Sequence, residues 1–134
     1  MTNQSTPHTY DKIPYPSFVY ADTHPGHLAT LARLFGIKSP LVTKSRILEL
    51  GCGDGTNLIA IAQSLPKAEC WGIDFSATQI ATGQATIKAI QLSNITLKQL
   101  DFKAIDESWG QFDYIIAHGV YSWVSPAVRD KLFQ

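Results

Sequence analysis

The chain has 134 residues, of which 45% are hydrophobic and 16% are charged, as in one ordinary globular domain. Eleven basic residues balance eleven acidic ones, so nothing in the charge favours a nucleic-acid or anionic membrane partner. The polar start lacks the pattern of a signal peptide, and no apolar run reaches the roughly 18 residues of a membrane helix, so we expect a cytoplasmic protein.

The N-terminal region is rich in proline and tyrosine and shows no helical or strand periodicity. We therefore expect residues 1–26 to form an arm or lid, separate from a ligand-binding domain in residues 27–134. The aromatic residues of the arm are Tyr10, Tyr15, Phe18 and Tyr20. They are expected either to cover a bound cofactor or to pack on a partner domain.

A first helix is predicted to begin at Thr23-His24-Pro25, where a hydroxyl can cap the helix and a proline suits its first turn. Apolar residues follow at helical spacing until Gly36. His24 and His27 lie three apart near this start, but no further ligand follows at zinc spacing. No metal site is therefore predicted.

Strand and helix patterns alternate from Arg46 onward. The predicted strands are Arg46–Leu50, Cys70–Ile73, Ile95–Leu100 and Phe112–Ala117. Helices are predicted after the first strand, after Ser76 with Gly83 permitting close packing, and from Pro126. This order predicts a Rossmann-like, doubly wound α/β fold with a mainly parallel sheet. Ligands of such sheets bind beyond the carboxyl ends of the strands, where the strand order reverses.

The first predicted strand runs into a glycine-rich loop, Glu49-Leu50-Gly51-Cys52-Gly53-Asp54-Gly55. Glycines let the chain turn sharply and let backbone amides approach an anion at a helix N-terminus. The third glycine comes one residue too early for the G-x-G-x-x-G pattern of dinucleotide sites, and Glu49 and Asp54 would repel a pyrophosphate. The carboxylate and ammonium of S-adenosylmethionine suit this loop better. The residues predicted to bind that cofactor are Glu49, Gly51, Cys52 and Gly53; the alternative is a turn that binds nothing.

Acidic residues also follow the next two predicted strands. Asp74 is placed to accept hydrogen bonds from a ribose diol, or else to cap the next helix. Asp101 is placed to accept from an adenine amino group, with the ring of Phe102 over the base. Phe75 either flanks the adenine or belongs to the core. These residues, Asp74, Phe75, Asp101 and Phe102, are predicted to contact the cofactor.

The fourth predicted strand ends at His118. Methyl transfer is an in-line displacement that depends on aligning the nucleophile, so a group at this strand end either positions the methionine part of the cofactor or acts as a base. His118 is therefore the candidate catalytic and cofactor-binding residue, with a packed loop histidine as the alternative. Tyr121 and Trp123 either line an acceptor pocket or pack. Cys52 and Cys70 have no C-x-x-C spacing and are expected to be structural thiols.

The glycine loop with Asp74 and Asp101 resembles the core of class I S-adenosylmethionine-dependent methyltransferases. The segments that carry a narrower resemblance are Tyr10-Asp11, Pro14-Tyr15-Pro16, Thr23-His24-Pro25, Leu28–Ala32 and His118–Val124. They are similar to the N-terminal part of bacterial methyltransferases with a methyltransferase regulatory domain, a group that includes protein lysine methyltransferases. The resemblance implies that residues 27–134 are the N-terminal half of a methyltransferase domain, with a protein lysine as a candidate acceptor.

The family's catalytic sheet has seven strands, whereas about four are predicted here. We therefore expect the sheet to be truncated, and a C-terminal region or a second chain to complete it. The end of the fourth strand lacks the Asn/Asp-Pro-Pro-aromatic run of methyltransferases that act on bases or glutamine amides, so those acceptors are not expected. The alternative function is a non-catalytic fragment that binds the cofactor or docks a partner. The glycine spacing argues against an NAD-dependent oxidoreductase.

Overall fold

The computed structural model describes residues 16–120 and 125–132. Its helices are Pro25–Leu34 (α1), Thr56–Ser64 (α2), Ala77–Ala89 (α3) and Pro126–Leu132 (α4). Its strands are Arg46–Leu50 (β1), Glu69–Asp74 (β2), Ile95–Gln99 (β3) and Tyr114–Ile116 (β4). Short 3-10 helices occupy 21–23, 42–44, 102–104 and 107–109. Some residues that the sequence singled out lie outside the described residues: Tyr10, Tyr15, Tyr121 and Trp123.

The strands form one parallel sheet in the order β3-β2-β1-β4. The chain moves outward from β1 through β2 to β3 and then returns to the other side of β1 for β4. This reversal is a topological switch point, which leaves a crevice beyond the carboxyl ends of β1 and β4. The predicted Rossmann-like α/β fold with a parallel sheet is confirmed.

The two faces of the sheet carry separate apolar clusters because successive strand residues point to opposite sides. On one face Ile47 of β1 packs with buried residues of α1 and α2, among them Ala29, Leu58 and Ile61. On the other face Leu48, Leu50 and Ile73 form a smaller cluster, covered by partly buried side chains that include Trp71 and Trp109. Four of the five β1 residues are buried, as expected for the centre of a parallel sheet.

The start of α1 differs from the prediction, because His24 rather than Thr23 caps the helix. The Nδ1 atom of His24 accepts a hydrogen bond from the Gly26 backbone N–H at 3.0 Å. The Thr23 hydroxyl instead donates to the Tyr20 carbonyl oxygen at 2.8 Å. The Nε2 atom of His24 lies 2.8 Å from Ser64 Oγ at the end of α2. The fold thus uses both ring nitrogens of His24.

Close packing brings α3 against the loop before α2. A Cβ at Gly83 would collide with the carbonyl oxygen of Asp54 and would lie 2.5 Å from Leu97 Cδ1. The predicted close approach at Gly83 is therefore confirmed. In the described ranges no helix combines the length and apolarity needed to cross a membrane.

The fourth strand is shorter than predicted. Phe112 lies before it, with the Arg46 guanidinium carbon 4.6 Å from its ring centroid. The backbone N–H of Arg46 donates to the Asp113 carboxylate at 2.8 Å, while the Asp113 N–H donates to the Arg46 carbonyl oxygen at 2.9 Å. The paired residues of β4 begin at Tyr114, which lies opposite Ile47.

Candidate functional site

The loop between β1 and α2 turns at three glycines with positive φ. Gly51, Gly53 and Gly55 have φ of +66°, +57° and +78°, which glycine adopts without strain. A Cβ at Gly51 would lie 2.6 Å from Val120 Cγ2. The loop after β1 and the turn after β4 therefore touch at the switch point, and a side chain at Gly51 would separate them.

Three backbone amides of this loop are used inside the protein. The Cys52 N–H donates to the Ile73 carbonyl at 3.0 Å, the Gly53 N–H to Asp74 Oδ2 at 2.9 Å, and the Gly55 N–H to the Cys52 carbonyl at 2.9 Å. Two of these donors are paired with acceptors of β2, and one is paired within the loop. These three groups are therefore already paired within the protein, and the expectation that amides of this loop cradle an anion stays a prediction. What the glycines provide there is close approach of the backbone.

Glu49 is a buried carboxyl group near the end of β1, with 5% of the residue exposed. Its Oε1 accepts a hydrogen bond from Asn57 Nδ2 at 2.8 Å, whereas its buried Oε2 has no partner among the described residues. Burial raises the pKa of Glu49 to about 7, although hydrogen bonds from the Asn57 side chain and the Leu58 backbone lower it. A buried oxygen without a donor is costly, so Glu49 suits a ligand that brings a donor or a positive charge.

Asn57 belongs to this site, although the sequence analysis missed it. The residue is 4% exposed, and its Oδ1 accepts from the Tyr20 backbone N–H at 2.8 Å. Its Nδ2 donates to Thr23 Oγ1 at 3.0 Å and to Glu49 Oε1 at 2.8 Å. In the sequence, Asn57 lies one helical turn before Ile61 on the apolar stripe of α2. A polar residue on a buried stripe directly after the glycine loop was the available signal.

Asp74 at the end of β2 joins that strand to the glycine loop. Its Oδ2 accepts from the Gly53 N–H at 2.9 Å and its Oδ1 from the Ser76 N–H at 2.8 Å. The Ser76 hydroxyl, in turn, caps α3 by accepting from the Gln79 N–H at 3.3 Å. Each carboxylate oxygen can accept a second bond, so Asp74 retains acceptor capacity for a ligand.

The residues at the ends of β2 and β3 divide into two groups. Phe102 is half-buried, and its ring lies 3.7 Å from where a Cβ of Gly51 would be. Phe75 is 51% exposed, and Asp101 is exposed with its Oδ1 accepting from the Lys103 N–H at 3.0 Å. The fold therefore brings Phe102 to the glycine loop and leaves Phe75 and Asp101 at the exposed rim.

His118 lies in the exposed turn after β4, where the N-terminal segment reaches it. The rings of Tyr20 and His118 have centroids 4.0 Å apart and planes inclined by 34°. Because the Tyr20 backbone is bonded to Asn57, the chain of contacts runs from Glu49 through Asn57 and Tyr20 to His118. The turn after β4 is thus connected to the buried carboxyl group through the N-terminal segment.

The two thiols are buried and unreactive. Burial raises the pKa of Cys52 and of Cys70, the latter to about 12, and the negative charge of Glu49 raises both further. A thiol that stays protonated near neutral pH is a poor nucleophile. Cys52 and Cys70 therefore pack within the fold, as predicted. Among the described residues, no cluster of three His, Cys, Asp or Glu side chains suited to a metal ion occurs.

Comparison with known proteins gives consistent matches. The methyltransferase domain family matches residues 47–134. Two proteins of Rickettsia prowazekii (strain Madrid E) are 45% and 50% identical over 126 and 125 residues, which is 94% and 93% of this chain. The structure of PKMT2 from Rickettsia typhi in complex with AdoHcy has a TM-score of 0.85 at 46% identity and covers 89% of this chain. The matches span 50%, 23% and 23% of those three proteins, so this chain corresponds to half of their length or less.

Proposed function

The chain belongs to the methyltransferase domain family, and we propose that it binds S-adenosylmethionine and takes part in methyl transfer from it. The observation that carries this proposal is the buried Oε2 of Glu49, which has no donor within residues 16–120 and 125–132 and lies beside a glycine loop at the switch point of the sheet. The similarity to PKMT2 in complex with AdoHcy, the demethylated form of this cofactor, supports it.

The residues of the site fit the chemical groups of this cofactor. Glu49 offers a carboxyl oxygen to the ammonium of the methionine part, and Asp74 offers two acceptors to the ribose diol. Phe102 offers a ring face to the adenine, with Phe75 and Asp101 at the rim. When bound, the cofactor supplies an electrophilic methyl group on a sulfonium. The chain's own contribution is to hold and orient this group and to keep water from it.

His118 and the N-terminal arm are proposed to cover the methionine end of the site. The contact between Tyr20 and His118 supports a lid role for the end of residues 1–26. His118 is exposed and lies in the turn after β4, which touches Gly51. Methyl transfer at this place needs a base or a positioning group. His118 is therefore our candidate catalytic residue.

The acceptor proposed is the side chain of a protein lysine. This choice rests on the resemblance of the N-terminal and His118 motifs to bacterial methyltransferases with a regulatory domain, and on the likeness to PKMT2. A lysine amine is protonated near neutral pH, so the complete site must remove or release a proton before transfer. Incubating the chain with labelled S-adenosylmethionine and a lysine-rich protein tests this step, and a methylated-lysine control reports non-specific label.

We propose that further polypeptide completes the sheet at β4. This strand lies at the sheet edge, and its Ile115 is 57% exposed. An exposed edge with an apolar side chain is a template for another strand, from a further region or a second chain. The same observation favours a second candidate function, a non-catalytic part that binds the cofactor and docks a partner. Cofactor binding without label transfer by the isolated chain would favour this second function.

Two finer points stay proposals. The balanced charge argues for a small-molecule or protein partner rather than nucleic acid, and the second proposal is a cytoplasmic location.

Isothermal titration calorimetry with S-adenosylmethionine, NAD and ATP tests the cofactor. We expect heat with S-adenosylmethionine alone, and NAD binding in its place would contradict the proposal. Asp74→Ala should weaken the affinity about tenfold to a hundredfold through lost charge-assisted bonds. Asp106→Ala is the matched control, because Asp106 also accepts from a backbone N–H two residues on, at 2.9 Å, but far from the loop in sequence.

A further inference from the structure

The side-chain amide of Asn57 joins parts of the site that are far apart in the sequence. Tyr20 lies 37 residues before Asn57, and Glu49 lies eight residues before it. The two partners belong to the N-terminal segment and to β1. One planar group on α2 therefore fixes the distance between a lid residue and a buried carboxyl group.

The hydrogen-bonding capacity of this amide determines its orientation. The Tyr20 backbone N–H can only donate, so it must face the Oδ1 atom. The Nδ2 group is then directed to Glu49 Oε1 and Thr23 Oγ1. Both N–H groups of Asn57 are thereby engaged, so Asn57 has no remaining donor for Glu49 Oε2.

We propose that Asn57 is a positioning residue that couples cofactor binding to closure of the N-terminal segment. It holds Glu49 with one oxygen left for the cofactor, and it holds Tyr20 so that its ring covers His118. This inference rests on the proposed function and adds a residue and a coupling to it. If cofactor binding favours closure by Tyr20 by a given factor, closure must strengthen cofactor binding by the same factor.

The surroundings of Glu49 make its titration sensitive to Asn57. The thiols of Cys52 and Cys70 are titratable groups that interact with it electrostatically, and both are neutral near pH 7. The ion pair formed among the described residues joins Arg46 to Glu69 and does not include Glu49. The Asn57 hydrogen bond therefore lowers the pKa of Glu49 against the effect of burial. Loss of that bond should raise this pKa above its value of about 7.

Asn94 provides a matched control. Its Nδ2 donates to the carbonyl oxygens of Ala62, Leu65 and Ala68 at 3.1, 3.0 and 3.1 Å. Asn94→Ala therefore removes an equally engaged amide without touching Glu49 or Tyr20. A purely structural role of Asn57 would make the two variants behave alike.

The test compares the wild-type chain, Asn57→Ala, Asn57→Asp and Asn94→Ala by three measurements. Hydrogen exchange of the Tyr20 amide reports closure, carbon NMR of the Glu49 carboxyl reports its pKa, and calorimetry with S-adenosylhomocysteine reports binding. In Asn57→Ala we expect about tenfold faster Tyr20 exchange, a higher Glu49 pKa and about tenfold weaker binding. In Asn94→Ala all three should match the wild type at a temperature where both are folded.

Asn57→Asp separates the hydrogen bond to Tyr20 from the hydrogen bond to Glu49. It also provides the test if Asn57→Ala does not fold. It keeps an acceptor for the Tyr20 N–H but loses the donor to Glu49, so Tyr20 protection should persist while the Glu49 pKa rises and binding weakens. The addition of S-adenosylhomocysteine should further protect the Tyr20 amide in the wild type and not in Asn57→Ala. Unchanged binding and unchanged Tyr20 exchange in Asn57→Ala would overturn this inference alone. Absence of binding by the wild-type chain would overturn the proposed function as well.

Discussion

The two ends of α2 use asparagine in opposite ways. At the C-terminal end the Asn94 side chain donates to main-chain carbonyls, among them that of Ala62 in the last turn of the helix and that of Leu65, which also accepts from the Ala68 N–H. At the N-terminal end Asn57 bonds the side chains of Glu49 and Thr23 as well as the Tyr20 N–H, and Glu49 keeps a buried oxygen without a donor in the part of the chain that the structure describes. At the C-terminal end each of these carbonyl oxygens has a donor, whereas at the N-terminal end the set of hydrogen bonds is incomplete by one donor to the Glu49 carboxyl group. An incomplete set of buried hydrogen bonds therefore marks the end at which we propose that the ligand binds.

The largest effect is expected where α3 meets the N-terminal end of α2. Gly83→Ala would place a methyl group against the Asp54 carbonyl, and overpacking of this kind costs about 3 kcal/mol or more. We expect this variant to be unfolded or strongly destabilised in urea denaturation. Gly36→Ala is the control, because apart from its chain neighbours no atom of the described residues lies within 4 Å of that Cβ position and only its positive φ is strained. Equal losses in the two variants would contradict the packing argument.

Glu49→Gln tests how much the buried carboxyl group at the N-terminal end of α2 lowers the unfolding free energy. The pKa of Glu49 is raised from 4.5 to about 7, so the folded chain holds a proton there that the unfolded chain loses between these values. The unfolding free energy of the wild type therefore falls by about 3 kcal/mol as the pH rises from 4.5 through 7, because the unfolded chain is favoured as it releases this proton. The unfolding free energy of the Gln variant does not fall in this way, because its side chain does not titrate.

Urea denaturation at several pH values checks this expectation. The stability of Glu49→Gln relative to the wild type should increase by about 3 kcal/mol between acidic and mildly alkaline pH, while its affinity for S-adenosylmethionine falls. A constant difference across this range would mean that Glu49 titrates normally.

Asn94→Ala should affect the opposite end of α2. Three carbonyl oxygens lose the Asn94 donor, although that of Leu65 keeps the Ala68 N–H, so we expect a loss of about 2 kcal/mol in unfolding free energy. Cofactor affinity, measured by calorimetry well below the melting temperature, should not change. A fall in affinity would show that the two ends of the helix are not independent.

The smallest effect is expected at the outermost contact of the N-terminal end. His118→Ala removes the ring that Tyr20 covers, and such exposed ring contacts contribute about 1 kcal/mol or less. His118→Phe keeps an aromatic face and should restore the stability measured by thermal unfolding. Methyl transfer distinguishes the roles, because Phe restores a packing role and does not restore a base.

Local patterns were sufficient to predict most of the fold. The boundaries of β1 were predicted correctly because its apolar run ends in a glycine turn. Gly83 was identified because a glycine within a helical stripe indicates close packing. The family was also recognised from the sequence, since the glycine loop and the flanking motifs are short and local.

The contacts of the site depend on tertiary structure and were less predictable. Asn57 has partners eight to 37 residues away, and nothing local in the sequence selects them. That Asp74 bonds the Gly53 N–H follows from the pairing of β1 with β2. His24 replaced Thr23 as the helix cap because its ring also reaches Ser64 at the far end of α2. The cofactor roles of the site residues stay predictions.

The two buried thiols make this chain convenient for spectroscopy. Cys52 and Cys70 are the chain's two cysteines, and burial with raised pKa values protects both from thiol-reactive dyes near neutral pH. A cysteine introduced at the exposed Ser17 would therefore be labelled selectively without removing either native thiol. Fluorescence from that single dye would follow the N-terminal segment in real time as ligand is added.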